Sequence, residues 1–337
     1  MTSAHDESPE PRDVWPAIVL TAGLGTRLRP LSLLRAKPAL PVAGVPLIGR
    51  ILGWLSASGV GSAVLNLHHL PSTITAVVGD GRDFGVQVRY SWEPTILGSA
   101  GGPARALPLI GADQFFIING DTLTDVSLAA LAADHRRSGA KVTLALVPNP
   151  DPLHYGGVTV DGEGQLVGFT PRGPANTGLH SIGVQAVDAD VFAPLDPDVP
   201  AESFSGIYRD LMARCPGCVR AFVSHAAFRD IGTAADYLDT CVDIARIEAS
   251  APSLIDGGTT VADSAVISNC VVWDDVRVGQ GATLAWSIVA SGARIPGGAR
   301  FEQSVVRPRD RRPAEPGEQV VGDLLVSRIG TRRSASN

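Results

Sequence analysis

Ala17-Ile18-Val19-Leu20-Thr21-Ala22-Gly23-Leu24-Gly25-Thr26-Arg27-Leu28-Arg29-Pro30 reads as a buried strand running into a glycine turn. Four consecutive apolar residues suit a strand covered on both faces. Gly23 and Gly25 let the backbone approach a ligand closely and turn its N–H groups toward phosphate oxygens. Arg27 sets a guanidinium beside that turn, and Ala36-Lys37-Pro38 adds an ammonium a short step later. Strand, turn and paired cations describe a nucleoside triphosphate site. The string is neither of the two common glycine loops. A Walker-type loop needs Gly-x-x-x-x-Gly-Lys-Ser/Thr, and a dinucleotide fingerprint needs a third glycine where Leu28 stands.

The lysine stands out against the composition. Of 28 basic residues only Lys37 and Lys141 are lysine, so the chain strongly favours arginine. A lysine kept inside a motif points to its compact, mobile ammonium, which a planar guanidinium cannot imitate. Lys141 opens the strand-like run Val142-Thr143-Leu144-Ala145-Leu146-Val147 and reads as a solvated strand end.

Outward from the opening string, strand and helix patterns alternate. Ile48 to Leu55 has helical spacing and ends near Gly59; Ala63 to Leu67 reads as a second strand, Gly85 to Tyr90 as a third, Gln114 to Ile118 as a fourth, and Leu128 to Ala133 as a helix. This predicts an α/β domain over 14–250, a doubly wound, mixed and mostly parallel Rossmann-like sheet with helices on both faces. After Ser250 the period changes. Ile255, Val261, Ile267; Val272, Val278, Leu284; and Val289, Ile295, Phe301 recur every six positions, each series restarting five residues after the last. That is a parallel β-helix signal of about three coils, expected over 251–306. Residues 1–13 read as a disordered tail. Residues 307–337 read as a polar, partly disordered tail with a loose final strand from Val320 to Val326.

Bulk properties narrow the function. A length of 337 residues and 45% apolar content supply a large core, while a net charge of −6 argues against a general nucleic-acid binder. No run approaches a membrane span, and the polar first residues do not resemble a signal peptide, so the cytoplasm is the expected compartment. Cys215-Pro216-Gly217-Cys218 has metal or redox spacing, but Cys241 and Cys270 are far apart and no histidine lies within six residues of the pair. A surface turn with reduced thiols is the expectation.

Two aspartates extend the phosphate site. Asp121, in Asn119-Gly120-Asp121, follows the fourth strand, where open α/β sheets bind ligands, and magnesium prefers one or two carboxylates plus phosphates. Asp230 lies in Phe228-Arg229-Asp230-Ile231-Gly232-Thr233, just before a helix announced by the capping-box spacing of Thr233 and Asp236.

Together, Gly23 to Pro30 and Lys37-Pro38-Ala39-Leu40-Pro41-Val42 resemble the signature of the sugar-1-phosphate nucleotidyltransferases, the nucleotide-sugar pyrophosphorylases, with Ala36 in place of a usual proline. The resemblance covers about residues 14–305. It is closest to mannose-1-phosphate guanylyltransferase-like chains with a C-terminal left-handed hexapeptide β-helix. It implies Arg27, Lys37, Asp121 and Asp230 as catalytic residues, with Asp121 and Asp230 on Mg²⁺. It implies nucleotide binding by Ala22, Gly23, Leu24, Gly25 and Thr26. Glu93, Gly98 and Ser99 join them, because Glu93-Pro94-Thr95-Ile96-Leu97-Gly98-Ser99-Ala100-Gly101 resembles the stretch lining the base and sugar pocket. Asn66-Leu67-His68-His69 also recurs in the family, with both histidines read as structural or solvent-facing.

Two positions depart from the family. Phe169-Thr170-Pro171-Arg172 replaces a Phe-x-Glu-Lys-Pro string, leaving Arg172 as the candidate sugar-phosphate cation. The Asn-x-Gly that follows matches either Asn176-Thr177-Gly178 or, preferred because a strand follows at Val184 to Val187, Ser181 and Gly183. The implied partners are an NTP and a sugar 1-phosphate, with GTP and mannose 1-phosphate first, and a homo-oligomer is expected. Another base or sugar (uridylyl, heptose or muramate type) and a non-catalytic regulatory relative stay open. Acyl transfer by the β-helix is disfavoured, since no histidine follows His225.

Overall fold

The computed structural model describes residues 15–249, 251, 253–312 and 314–330. The expectations of a disordered tail over 1–13 and of a flexible end after 330 fall outside the described residues. The apolar run at the start forms β1 (Ala17–Leu20). A small hairpin, β2 (Pro41–Val42) with β3 (Val45–Pro46), leads into α1 (Leu47–Ala57). There follow β4 (Ser62–Leu67), α2 (Pro71–Val78), β5 (Gln87–Trp92), α3 (Gly98–Ile110) and β6 (Gln114–Asn119). β5 starts two residues later than the sequence suggests because Gly85 takes a left-handed φ of 74° after a short 3-10 turn. Next come β7 (Thr122–Thr124), α4 (Leu128–Ser138), β8 (Val142–Pro148), β9 (Gly157–Val160), β10 (Leu166–Thr170) and β11 (Leu179–Asp188). The α/β part ends with α5 (Tyr208–Arg214), β12 (Val219–Val223), β13 (Phe228–Asp230) and α6 (Ala234–Ala249).

Nine strands make one mixed sheet. β1 lies between parallel β4 and β6, and β5 continues the parallel run outside β4. β11 pairs antiparallel with β6 and carries on to β8 and β9, while β12 runs parallel to β8. One face is covered by α1, α2, α4 and α6, the other by α3 and α5, each over its own buried cluster. The capping box holds as spaced: the Thr233 N–H donates to Asp236 Oδ2 at 2.9 Å and the Asp236 N–H to Thr233 Oγ1 at 3.2 Å. Lys141 is not simply solvated. Its Nζ donates to Asp188 at 2.9 Å and Asp190 at 2.7 Å, tying the start of β8 to the end of β11.

Beyond α6 the chain winds into the left-handed β-helix. Leu254, Val271, Ile288 and Val305 stack in parallel register, so one coil takes 17 residues. Val272, Val278, Leu284, Val289, Ile295 and Phe301 fill its interior as the hexad pattern predicts, and Val261 and Ile267 pack against them. Ile255 is 47% exposed because no coil lies beneath the first. The segment after 306 departs from the expectation of one loose strand. Gln319–Val321 and Leu324–Arg328 form a hairpin that pairs antiparallel with Ser304–Pro308. The fully buried Arg307 holds it by donating two 2.7 Å hydrogen bonds to Glu318.

The thiol pair is also a correction. Cys215 and Cys218 form a disulfide, because the turn after α5 brings their Cα atoms to 5.5 Å, within bridging range. Cys241 and Cys270 are buried free thiols, and burial pushes them up to about 12 and about 11 respectively.

Candidate active site

Beyond the carboxyl end of β1 lies a cavity of about 360 Å³, lined by Ala22, Gly23, Gly25, Thr26, Arg27, Lys37, Glu93, Gly98, Ser99, Asp121 and Gly232 among others. Its position is the switch point of the sheet, where β1 has β4 on one side and β6 on the other. Gly25 takes φ 60°, and a Cβ there would sit 3.1 Å from Ser32 Cβ, so a side chain would be strained and crowded. Leu24 points away, 41% exposed, and does not line the cavity. The loop after this turn is a series of 3-10 turns held from the sheet side: His69 Nε2 meets Ser32 O at 2.7 Å, and the Ala36 N–H donates to Thr73 Oγ1 at 3.0 Å.

The charged groups converge. Lys37 is nearly buried and donates from Nζ to Asp121 Oδ2 at 2.6 Å. Burial pushes the Asp230 carboxyl above the ordinary carboxylate range, and the Asp121 charge pushes it the same way; Lys37 and Arg27 oppose both. Gly232 makes the approach of Arg27 and Asp230 possible, since a Cβ there would lie 3.1 Å from Asp230 Oδ2 and 3.2 Å from Arg27 Nη1. β7 and β13 bring the two aspartates together by pairing Asp230 with Thr122, the neighbour of Asp121. Two carboxylates that repel each other beside a phosphate-sized cavity fit a divalent cation. No cluster of three or more His, Cys, Asp or Glu ligands forms among the described residues, so such a cation would complete its shell with phosphates and water.

Glu93 and Ser99 line the cavity while serving as its frame. Glu93 is fully buried, accepting from Asn66 Nδ2 at 2.7 Å and from the Leu97 N–H at 2.9 Å. Asn66 in turn accepts from the Thr21 N–H at 2.6 Å, so β1, β4 and the start of α3 are locked to one another under the nucleotide loop. Ser99 Oγ donates to Glu202 at 2.7 Å and accepts from the Ser203 N–H at 2.8 Å. His68 Nδ1 donates to the Glu93 carbonyl (2.9 Å), so both histidines of the Asn-Leu-His-His run are structural.

A second cavity, about 290 Å³, opens beside the first, lined by Phe169, Thr170, His180, Ser181, Phe204, Ser205 and Arg209. The two linings adjoin, with no residue common to both. Asn119 of the first packs on Gly183, whose would-be Cβ lies 2.5 Å from Asn119 Nδ2, and Ser99 of the first bonds Ser203, next to Phe204 and Ser205 of the second. Ser181 Oγ is buried and has no hydrogen-bond partner among the described residues. Asn176 shapes the preceding turn instead, donating to Tyr155 O at 2.9 Å and accepting from the Gly178 N–H at 3.0 Å.

Residues 16–246 match the nucleotidyl transferase family. The chain belongs to that family. It is 31% identical over 302 residues to the mannose-1-phosphate guanylyltransferase of Mycobacterium tuberculosis, covering 85% of this chain and 83% of that one. It is 43% identical over 137 residues to the N-acetylmuramate alpha-1-phosphate uridylyltransferase of Neisseria meningitidis, covering 40% and 59%. Among solved structures it resembles HddC from Yersinia pseudotuberculosis complexed with GMP-PN, at 25% identity and a TM-score of 0.60, over 68% of this chain and all of that one. This nucleotidyl transferase is therefore an enzyme, with an NTP and a sugar 1-phosphate as the substrates that fit its family's reaction.

In this nucleotidyl transferase the structure does not bring Arg172 to the others. It is exposed on the turn after β10 and lines neither cavity. Arg209 is the cation at the second cavity, its guanidinium carbon 5.9 Å from the Phe169 ring centre, with no carboxylate paired to it among the described residues. Sequence reading passed over Arg209 because Tyr208-Arg209-Asp210 carries no motif, and only the packing of α5 against β10 and β11 sets it there.

Proposed function

We propose that this enzyme transfers a guanylyl group from GTP to mannose 1-phosphate, giving GDP-mannose and pyrophosphate. The observation that carries the reading is that Arg27, Lys37 and Asp121 line one cavity at the glycine turn, with Asp230 beside its Gly232 wall and in the electrostatic reach of all three. In that cavity Ala22, Gly23, Gly25 and Thr26 offer backbone to the triphosphate, and Arg27 neutralises the β- and γ-phosphates that leave. Lys37, paired with Asp121, turns its ammonium to the α-phosphate and the sugar phosphate. An oxygen of the sugar 1-phosphate attacks the α-phosphorus in line, the bond to the bridging oxygen breaks, and pyrophosphate departs. No general base is needed because the attacking phosphate is already ionised. The protein's task is positioning and charge neutralisation. Asp121 and Asp230 would hold Mg²⁺, which supplies further charge neutralisation at the reacting phosphates.

The second cavity is the proposed sugar subsite. Phe169 and Phe204 give it apolar walls, Ser181 offers an unused hydroxyl, and Gly183 sets the close contact with Asn119. Arg209 takes the cation role that the sequence had suggested for Arg172. Guanine and mannose are favoured by the long match to the mannose-1-phosphate guanylyltransferase. The uridylyltransferase match over 137 residues makes UTP with an N-acetylmuramate-type sugar the second reading. A homo-oligomer and a cytoplasmic setting, where NTPs and sugar phosphates are made, complete the proposal. No described helix is long and apolar enough to cross a membrane.

The test is pyrophosphate release from a grid of NTPs crossed with sugar 1-phosphates and Mg²⁺, with thermal shift on the same grid, since ligands raise the melting temperature by mass action. GTP with mannose 1-phosphate is expected to give the fastest release and the largest joint shift. A faster UTP pair would overturn the choice of base, and no release from any pair would overturn the activity.

A further inference from the structure

The 3-10 loop that carries Arg27 and Lys37 has no strand pairing of its own before β2, and its outer side is gripped by the β-helix. Arg35, two residues before Lys37, donates to Asp274 and to Ser291 Oγ (2.9 Å), and its guanidinium carbon lies 5.0 Å from the Trp273 ring centre. Asp274 is itself fixed by Ser291, whose Oγ donates to it at 2.9 Å. Trp273 is fully buried and donates from Nε1 to Tyr237 OH at 2.9 Å, and Tyr237 OH donates at 2.5 Å to Pro41 O, where the loop ends. A second grip lies above. Arg312 donates to Leu33 O at 2.6 Å, and Arg29 pairs with Glu315 at 3.4 Å.

These contacts fall at both ends and the middle of the loop, and none of them reaches the cavity. Apart from Tyr237 of α6, which relays the Trp273 contact to Pro41, their partners come from residues 273–315, outside the matched nucleotidyl transferase region. Asp274 and Ser291 are 17 residues apart, equivalent corners of successive coils, so the lower grip requires two stacked coils rather than one side chain.

We infer that the β-helix sets the position of the phosphate-binding loop, with Arg35 as the positioning residue on the loop and the Asp274–Ser291 pair as its seat. This rests on the nucleotidyl-transfer reading for its kinetic consequence, but the mechanical claim stands apart from it. A loop loosened at Arg35 leaves Arg27 and Lys37 intact yet misplaced. The larger loss is therefore expected in use of the NTP, whose phosphates Arg27 and Lys37 both meet; the sugar phosphate shares only Lys37 with this loop and keeps its separate subsite on β11 and α5.

The experiment uses the full chain with Arg35→Ala, Arg35→Lys, Asp274→Ala and the Arg35→Ala/Asp274→Ala double variant. Arg35→Ala and Asp274→Ala are each expected to lower kcat/KM for the NTP by roughly 10- to 100-fold, the scale of a small misplacement of catalytic groups. The KM for the sugar phosphate should rise clearly less than the NTP kcat/KM falls, because only Lys37 links the loop to that substrate and the second cavity's own contacts are independent of the seat. The double variant should be no worse than either single, and Arg35→Lys should recover part of the loss. Equal losses for both substrates, multiplicative effects, or no effect would overturn the inference. Hydrogen exchange gives a readout independent of activity: amides of 28–40 should exchange faster in Asp274→Ala while those of the β-helix interior do not. If the unmodified chain releases no pyrophosphate, the functional reading falls and exchange alone decides this inference. Unchanged exchange in 28–40 then overturns it. A variant too unstable to assay is replaced by Ser291→Ala, judged by the same outcomes.

Discussion

Lys37 donates to Asp121 at 2.6 Å, so the proposed catalytic cation and one carboxylate of the proposed metal pair form a single ion pair. Replacing Lys37 with alanine is expected to cut kcat by roughly 10²–10³-fold, the scale of losing one transition-state charge stabiliser, measured as pyrophosphate release. Asp121→Ala should lose a similar amount, and unchanged turnover in either would remove both residues from the mechanism. Arg209 and Arg172 make a paired test. Arg209→Ala should raise the KM for the sugar phosphate roughly tenfold, the worth of a hydrogen bond to a charged group, while Arg172→Ala leaves it unchanged; the reverse result would restore Arg172. His135 supplies the pH dependence. It is fully buried between Thr143 Oγ1 (2.8 Å) and Asp188 Oδ1 (3.2 Å), and burial lowers its pKa ahead of the opposing pull of Asp188. The unfolded chain therefore takes up the proton first. The stability this site contributes is complete above about pH 6.5 and is lost as pH falls toward the folded value. Denaturant midpoints at pH 7.5 and 5.5 should fall further for the unmodified chain than for His135→Gln, and parallel falls would contradict this. At this scale the sequence was readable where chemistry demands a particular residue in a string: Arg27, Lys37, Asp121 and Asp230 all line or flank one cavity. It was not readable at Arg209, whose place depends on how α5 packs, nor at Glu93, whose carboxylate is spent on Asn66 and the Leu97 N–H.

Elements were legible where a period or a cap defines them. The alternation of apolar runs marked β1, β4 and β6, and the Thr233/Asp236 spacing marked the start of α6 at Ala234. Thr233→Ala should cost about 1 kcal/mol by chemical denaturation, the usual worth of an N-cap. Because Thr233 follows Gly232, which both Arg27 and Asp230 approach, a larger drop in activity than in stability would show that the cap also steadies the site. The hexads were equally plain, since three six-residue series in phase set a coil with three sides apart from an irregular Gly/Val-rich tail. Leu284 is fully buried at the middle of that interior, and Leu284→Ala is expected to cost about 2–5 kcal/mol. The hairpin after 306 was hidden because Gln319, Val320 and Val321 are all exposed, so no alternation distinguishes them from a tail. What orders it is one buried ion pair, Arg307 with Glu318, eleven residues apart in a segment dominated by charge. The Cys215–Cys218 bridge was missed for a related reason: spacing admits a bond but only the turn after α5 closes the distance.

At the scale of the molecule, one apolar cluster runs from the sheet through α6 into the β-helix, joining Val19, Leu52 and Leu238 to Trp273, Ile288 and Val305. A core shared in this way couples the two parts, so a single unfolding transition is expected, with tryptophan fluorescence and far-UV circular dichroism coincident. Two separated transitions would mean that the shared cluster does not bind the parts into one unit. The general plan was visible in the sequence as a change of period near residue 250, but the joint was not, because its residues come from both sides of that change. The 17-residue coil has a further consequence for length. A coiled solenoid can ordinarily grow or shrink by whole turns, each adding about 4.8 Å along its axis. Here the loop is held at Asp274 and Ser291 below and by Arg312 and Glu315 above. Inserting one turn between them would carry the upper anchor out of reach, while removing one would bring it past its mark. On the proposed role of these grips the solenoid is a gauge whose graduation is one coil, and a chain with one turn inserted or deleted between the anchors is expected to lose one of its two holds on the loop.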